Sequence, residues 1–585
     1  MLAALRRLLP YLGRSRRPML LGLCCAIVAN LFALLTPWVL KYAVDDLTAA
    51  VTRAKLGRYA LALLAISAGG GIFRYFMRRL IIGVSRRVEY DLRSDFFSQL
   101  QRFPREYFDK ARTGDLMSRA SADLGAVRMM AGPAAMYAVS TGVLAIAAVG
   151  MMLWIDTRLT LLIVTFTPLV SLMVKYFGQA IHTRFERIQA QLAEISAITQ
   201  EALAGVRVVR AYGQEAAERA KFLAASDEYV ARNRKLILLQ ASFFPSMTFG
   251  FGLAIVAFLY LGGREVIRGS LTLGEFVAFN GYLGQLAWPL IAFGWVTNMF
   301  QRGLASWQRM LEVFDTAPSI VDGPTAQRLP EPVRGRLRVR HLTFAYGTGP
   351  VVLHDIDLHV PAGSTLAIVG ATGSGKSSLV HLLVRMYDPP PGTVFIDGHD
   401  VRDVRLEDLR RAIAFVPQET FLFSTTLEDN IAFGAHAMPD AQRRERVEEA
   451  AAIARLDKDV VQFAEGYQTR VGERGLTLSG GQKQRTAIAR ALMTAAPVLV
   501  FDDALSAVDT YTEEEILSRL RTVTADRTTI IVAHRISAVR HADQIIVLDE
   551  GRIIERGTHD SLAFAGGPYS ELVRQQQLEA ELAVS

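Results

Sequence analysis

The sequence predicts two folding units in one chain: an α-helical membrane domain with six spanning helices, followed by an α/β nucleotide-binding domain of the P-loop class. Three observations carry this. Six apolar runs in the N-terminal half are each long enough to cross a hydrocarbon core, which takes about 20 helical residues. After Phe314-Asp315 the pattern changes to short β-rich and helical segments in alternation, as in an α/β domain. A glycine-rich run, Gly370-Ala-Thr-Gly-Ser-Gly-Lys-Ser377, then stands between a buried-strand pattern and a helical one.

The chain has 585 residues, 51% of them hydrophobic, and a formal net charge of +8. It is too long for a single domain and too apolar for an ordinary soluble enzyme. The basic balance does not point to nucleic acid, because no reading motif or aromatic-interleaved basic patch accompanies it. Arg14, Arg16, Arg17, Arg78, Arg79, Arg86 and Arg87 instead flank apolar stretches, as residues that orient a protein in a membrane do. The two cysteines, Cys24 and Cys25, are adjacent in an apolar run, which excludes a disulfide framework and a four-ligand zinc site.

Residues 1–17 are basic and amphipathic, with no small-residue cleavage site after the first apolar run. They are expected to lie on the cytoplasmic membrane face rather than to be a removable signal. The membrane domain is expected over 18–315, with spans near Met19–Leu40, Tyr59–Ile82, Met136–Leu153, Leu159–Phe177, Phe243–Leu261 and Phe276–Phe300. Six spans return both ends to one side. The Arg-rich N-terminus and the connections after the second and fourth spans place that side, and the following domain, in the cytoplasm.

The two long cytoplasmic connections keep helical spacing: Val84, Val88, Leu92, Phe96 and Leu100 form one stripe, and Ile181, Phe185, Ile188, Leu192 and Ile195 another. The membrane helices are therefore expected to continue into the cytoplasm as a packed bundle. Residues 316–335, with Pro318, Pro324, Pro330 and Pro332, read as a linker. The nucleotide-binding domain is expected over 336–585.

Within it, Ser364-Thr-Leu-Ala-Ile-Val369 enters the glycine-rich turn as a strand and Ser377-Ser-Leu-Val-His-Leu-Leu-Val384 leaves it as a helix. This context makes the match a phosphate-binding loop. Backbone N–H groups of Gly370, Ala371, Thr372, Gly373, Ser374 and Gly375, together with Ser378, would surround phosphate oxygens at a helix N-terminus. Lys376 would neutralise the terminal phosphates, and the Ser377 hydroxyl would ligate Mg²⁺.

Leu478-Ser-Gly-Gly-Gln482 and Val498-Leu-Val-Phe-Asp-Asp-Ala-Leu-Ser-Ala-Val-Asp509 follow in order, and with them nearly the whole chain resembles the half-size ATP-binding cassette (ABC) exporters. Two membrane-domain segments, Tyr107–Arg119 and Glu201–Glu215, are similar to the regions around that family's coupling helices. The resemblance implies that Tyr346 stacks on adenine and that Gln418 senses Mg²⁺ and meets a coupling helix. It implies that Asp502 is a second magnesium partner and that His534 touches the γ-phosphate. Leu478, Ser479, Gly480, Gly481 and Gln482 would serve the ATP held by a partner cassette, and Asp509 lies in the loop between the two sites. ATP and Mg²⁺ are the implied cofactors.

Asp503 departs from the pattern, since the family's hydrolytic sites carry Glu there. A general base must sit within hydrogen-bond reach of its water. The shorter side chain withdraws the carboxylate by about 1.5 Å, and a misplacement of about 1 Å can cost roughly a hundredfold in rate. In the family, Asp at this place is typical of one subunit of a heterodimeric exporter. The expectation is thus a second, different half-transporter with Glu at the matching position, and a lipophilic small molecule or lipid as cargo in contact with membrane lipid. A homodimeric exporter, an importer of a lipid or metal chelate, and an ATP-gated channel or regulatory subunit are the alternatives. Asn30, Gln240, Asn280, Gln285 and Asn298 inside the spans either line a path or bond neighbouring helices. Pro37, Pro168, Pro245 and Pro289 are expected to kink their helices.

Overall fold

A computed structural model describes residues 2–49, 52–165, 167–435, 438–472 and 478–584. The chain divides into two compact units, one comprising 1–102 and 111–317, the other 103–110 and 318–585.

The first unit is helical. Its long helices run over Arg16–Ala49, Arg53–Gln101, Thr167–Ala204, Glu215–Ile267 and Leu273–Asp315, with a further helical stretch from Thr113 to Ile155. Among the described residues, five helices are long and apolar enough to cross a membrane. The fourth expected span is carried by Thr157–Val164 and the start of Thr167–Ala204; Phe166, between them, and the side chain of Pro168 lie outside the described residues.

At 1.5 Å per residue a 49-residue helix is about 74 Å long, well beyond a hydrocarbon core of about 30 Å. The helix Arg53–Gln101 therefore continues into the cytoplasm, where Val84, Val88, Leu92 and Phe96 are all buried. The second stripe behaves differently. Ile188 is buried, but Phe185 and Leu192 are exposed, because the helix Thr167–Ala204 packs chiefly on the single helix Glu215–Ile267. One partner covers a narrower stripe than a bundle does.

The expected kink residue Pro37 sits inside Arg16–Ala49. Proline supplies no N–H, so the carbonyl of Ala33 loses its helical donor. The Gln285 side-chain amide donates to that carbonyl at 2.9 Å, and the Tyr282 hydroxyl donates to the Leu34 carbonyl at 2.9 Å. Gly281 permits the approach: a Cβ there would lie 3.0 Å from Pro37 Cβ. Asn30 donates to the Ser140 carbonyl at 2.9 Å. For Asn30 and Gln285 the interhelical alternative is the one observed.

The second unit holds two sheets. Strands β1 (Leu337–Ala345), β2 (Val351–Val360), β4 (Val394–Ile396) and β5 (His399–Asp400) form an antiparallel sheet in the order β2-β1-β4-β5. Strands β3 (Thr365–Val369), β6 (Ile413–Val416), β7 (Val498–Asp502), β8 (Thr528–Val532), β9 (Gln544–Asp549) and β10 (Arg552–Gly557) form the larger one, in the order β10-β9-β3-β8-β7-β6. From β9 to β6 the strands are parallel, and β7 is buried throughout, as a strand covered on both faces must be. The short segment 103–110, containing the helix Arg105–Lys110, belongs to this unit.

Candidate functional site

Four adjacent parallel strands, β3, β8, β7 and β6, each deliver one part of the site at their carboxyl ends, where open α/β sheets bind ligands. The phosphate-binding loop follows β3, the helix Lys376–Leu383 leaves it, and Gly375 at its N-cap takes a left-handed φ of 100°. That conformation favours glycine, and a Cβ there would also stand only 3.2 Å from the Val352 carbonyl. Lys376 is buried, and its ammonium donates to the Gly370 and Ala371 carbonyls at 2.9 and 2.7 Å. Burial pulls its pKa down, against the pull of Asp503 and Asp502.

Asp502, 2% exposed, ends β7 and accepts a hydrogen bond from the Ser377 hydroxyl at 3.1 Å. Burial raises its pKa. Asp503, the next residue, has φ 47°, a left-handed conformation that Asp tolerates better than most residues. Its backbone is pinned: its N–H donates to Val532 O at 3.0 Å, and its carbonyl accepts from Ser506 Oγ at 3.0 Å. The Gln418 side-chain amide, two residues past β6, lies 3.4 Å from Asp503 Oδ2. His534 follows β8 and shares with Asp503 the walls of a cavity of about 100 Å³. Burial and then Lys376 depress the His534 pKa, against the pull of Asp503.

The residues present fit Mg²⁺ and a nucleotide triphosphate. Ser377 Oγ and Asp502 Oδ1 are the hard oxygen donors magnesium takes. Ser374 Oγ is buried in the loop with no hydrogen-bond partner, an orphan that a phosphate oxygen would satisfy. Tyr346, just past β1, is 37% exposed and donates its hydroxyl to Ser378 Oγ at 2.8 Å. It borders the loop helix, and its ring meets Phe344 and Tyr387 edge-on.

The segment 478–482 is not part of this cluster. Ser479 caps the helix Gly480–Leu492 in a reciprocal capping box with Gln482, and the Gln482 amide donates to Asp459 at 2.9 Å. Gly481 lies so close to the loop after Asp503 that a Cβ would be 3.0 Å from Ala507 O. Gln484 bonds both Ser506 Oγ, at 3.0 Å, and the Ala507 N–H, at 2.9 Å. Asp509 caps the helix Thr510–Thr524 through the Thr512 N–H at 2.9 Å. Residues 473–477, just before Leu478, lie outside the described residues.

Sequence reasoning missed three contributors. Tyr387 donates to Asp109 Oδ2 at 2.6 Å, fixing the helix Arg105–Lys110 beside the nucleotide loop. Its ring also meets Tyr346 edge-on at 4.9 Å. His381, on the loop helix, lies 4.0 Å from Asp502, and burial, then the charge of Arg105, pushes its pKa down to about 4. Gln576, on the C-terminal helix, bonds the backbone at His534. Asp109 lay inside a segment already marked by family resemblance, whereas nothing local singled out Tyr387, His381 or Gln576.

Comparison with known proteins places this geometry in context. Residues 19–290 match the family model of the ABC transporter transmembrane region and residues 353–506 that of the ABC transporter domain. The chain is 37% identical over 98% of its length to the multidrug resistance-like ATP-binding protein MdlA of Escherichia coli (strain K12), covering 96% of that protein. It is 35% identical over 95% of its length to the ATP-dependent lipid A-core flippase of Syntrophus aciditrophicus (strain SB), covering 91% of it. Among solved structures, a bacterial Atm1-family ABC exporter with ATP bound is similar over 96% of this chain and 98% of the other, with a TM-score of 0.79 at 30% identity.

Proposed function

Because the chain belongs to the ABC transporter family, with a multi-pass membrane domain and a cytoplasmic cassette, we propose that it exports a lipophilic small molecule or lipid as one half of a heterodimer. In this reading the ATP site built on the present chain turns over slowly. The exporter and flippase activities named for the relatives support the direction and the cargo class.

The observation that carries the finer claim is Asp503. Its backbone is held on both sides, by Val532 and by Ser506, so it has little freedom to advance its carboxylate by the length of a missing methylene. Lys376, Ser377 and Asp502 keep the groups that grip Mg·ATP. Bound Mg·ATP would supply the binding energy that draws two cassettes together and the phosphoanhydride to be cleaved. This chain's residues would retain the phosphates and orient them, with His534 at the end of β8 beside them. Ser479 and Gly480, at the start of the capped helix, are exposed, so a partner's nucleotide could meet a helix N-terminus there.

The test is the composition of the complex. Tagged chain extracted in mild detergent is expected to bring down one other half-transporter, with Glu where this chain has Asp503. Recovery of this chain alone as a self-paired dimer would contradict the proposal. Export is checked separately: inside-out vesicles holding the complex should accumulate a fluorescent amphiphile in an ATP-dependent, vanadate-sensitive way, and ATP-driven depletion would indicate uptake.

A further inference from the structure

We infer that Gln576 is a positioning residue that sets the backbone of the loop bearing His534, so that the C-terminal helix forms part of the γ-phosphate sensor. The inference rests on the reading of His534 as the residue that meets the γ-phosphate.

The loop after β8 turns after three residues into the short helix Ile536–Val539, whose N-cap, Arg535, makes no side-chain capping bond. The first N–H of that helix therefore needs a partner from elsewhere, and the His534 carbonyl in the loop before it needs a donor. One carboxamide supplies both. Gln576 Nε2 donates to His534 O at 2.7 Å, and Gln576 Oε1 accepts from the Ile536 N–H at 2.9 Å. Only an amide offers a donor and an acceptor side by side in this way; a carboxylate would set a lone pair against the His534 carbonyl.

The helix Pro568–Val584 is indexed so that Gln576 arrives there. Tyr569 is fully buried, its hydroxyl is 2.9 Å from His559 Nδ1, and its N–H donates to Glu555 Oε2 at 2.9 Å. Seven residues later, two helical turns on and about 10 Å along the axis, the same helix face presents Gln576, with Val573 between them packed on the cluster that contains Val539 and Tyr569.

The opposite side of the loop is held independently. Arg535 donates to the Val508 carbonyl at 2.8 Å and pairs with the buried Glu513, which also accepts from the Ser537 hydroxyl at 2.7 Å. Arg535 ties the loop to the segment after Asp503, and Gln576 ties it to the C-terminal helix. Together they hold the loop from both sides of His534.

A contact that orients the γ-phosphate sensor should matter for a triphosphate and not for a diphosphate. The experiment uses full-length chain in lipid nanodiscs and compares the affinities of Mg·AMP-PNP and Mg·ADP for wild type, Gln576→Leu, Gln576→Glu, His534→Ala and the double variant Gln576→Leu/His534→Ala. Gln576→Leu is expected to weaken AMP-PNP about fivefold to tenfold while ADP stays within about twofold. The double variant should bind no worse than His534→Ala alone. Gln576→Glu, which keeps the bond to Ile536, serves if Gln576→Leu does not fold, with a loss of the same sign.

Equal weakening of both nucleotides, an unchanged ratio, or losses that add to those of His534→Ala would overturn the inference. If His534→Ala itself leaves the AMP-PNP to ADP ratio unchanged, it is the reading of His534 that fails. If His534→Ala lowers the ratio and Gln576→Leu does not, the reading stands and the role of Gln576 falls.

Discussion

The Gln418 amide faces the Asp503 carboxylate across 3.4 Å, longer than the usual 2.7–3.2 Å of an N–H···O bond, while the neighbouring Ser377 and Asp502 pair at 3.1 Å. On the proposed reading, two functions that lie one residue apart in sequence are separated in space: Asp502, bonded to Ser377, would belong to the magnesium side of the site, and Asp503 to the side where water would be activated. Substitution should separate them too. Asp503→Asn is expected to leave Mg·ATP binding within about twofold, whereas Asp502→Asn, which weakens a charge-assisted contact of about 2 kcal/mol, should lower it by roughly thirtyfold. Equilibrium binding with and without Mg²⁺ measures both.

Tyr346 stands beside the loop helix, anchored by its hydroxyl to Ser378. Stacking of a base on an aromatic ring contributes about 1–3 kcal/mol. Tyr346→Ala should therefore weaken ATP binding by about tenfold or more, and Tyr346→Phe, which keeps the ring and loses only the anchor, by much less. Equal losses for the two variants would mean that the hydroxyl, not the ring, is what matters.

In the membrane domain, Gln285 occupies the carbonyl that Pro37 leaves without a donor. Gln285→Leu should cost about 1 kcal/mol, the scale of an interhelical hydrogen bond in a membrane. In a Pro37→Ala background the residue-37 N–H can bond Ala33 again, so the same substitution should cost almost nothing. Thermal unfolding of the four proteins in detergent gives the coupling directly.

His381 supplies a pH dependence with a defined sign. Its pKa is depressed from 6.5 to about 4 by burial and by Arg105, so the folded cassette holds it neutral while the unfolded chain takes up a proton. Its contribution to stability is complete above pH 6.5, falls as the pH drops, and is lost below about pH 4. Over that window it amounts to about 3 kcal/mol. Unfolding midpoints measured between pH 7 and pH 5 should fall less steeply in His381→Gln than in wild type.

What the sequence made legible was whatever is encoded locally. The strand, the glycine-rich turn and the helix beginning at Lys376 are contiguous, so order along the chain reports geometry. The stripe from Val84 to Phe96 is legible for the same reason: its period matches the helix and its whole face is covered. The stripe from Ile181 to Ile195 has the same period, yet Phe185 and Leu192 stand exposed, because periodicity gives the orientation of a face and not the width of its partner. Gln285 was visible as a costly polar residue, but its pairing with Ala33 depends on a helix far along the chain. Tyr387 with Asp109, and Gln576 with His534, likewise join segments distant in sequence, and such pairs leave no local pattern. The left-handed backbone at Asp503 is also a tertiary outcome, set by the hydrogen bond to Val532.

The most direct measurement is steady-state ATP hydrolysis by the purified complex of this chain with its partner half-transporter in lipid nanodiscs, the partner's own ATP site inactivated, beside the same complex carrying Asp503→Glu in this chain. The account predicts slow turnover by the wild type, and a rise of tenfold or more when the longer carboxylate is restored, with nucleotide affinity little changed. Brisk turnover by the wild type that Asp503→Asn abolishes would contradict it.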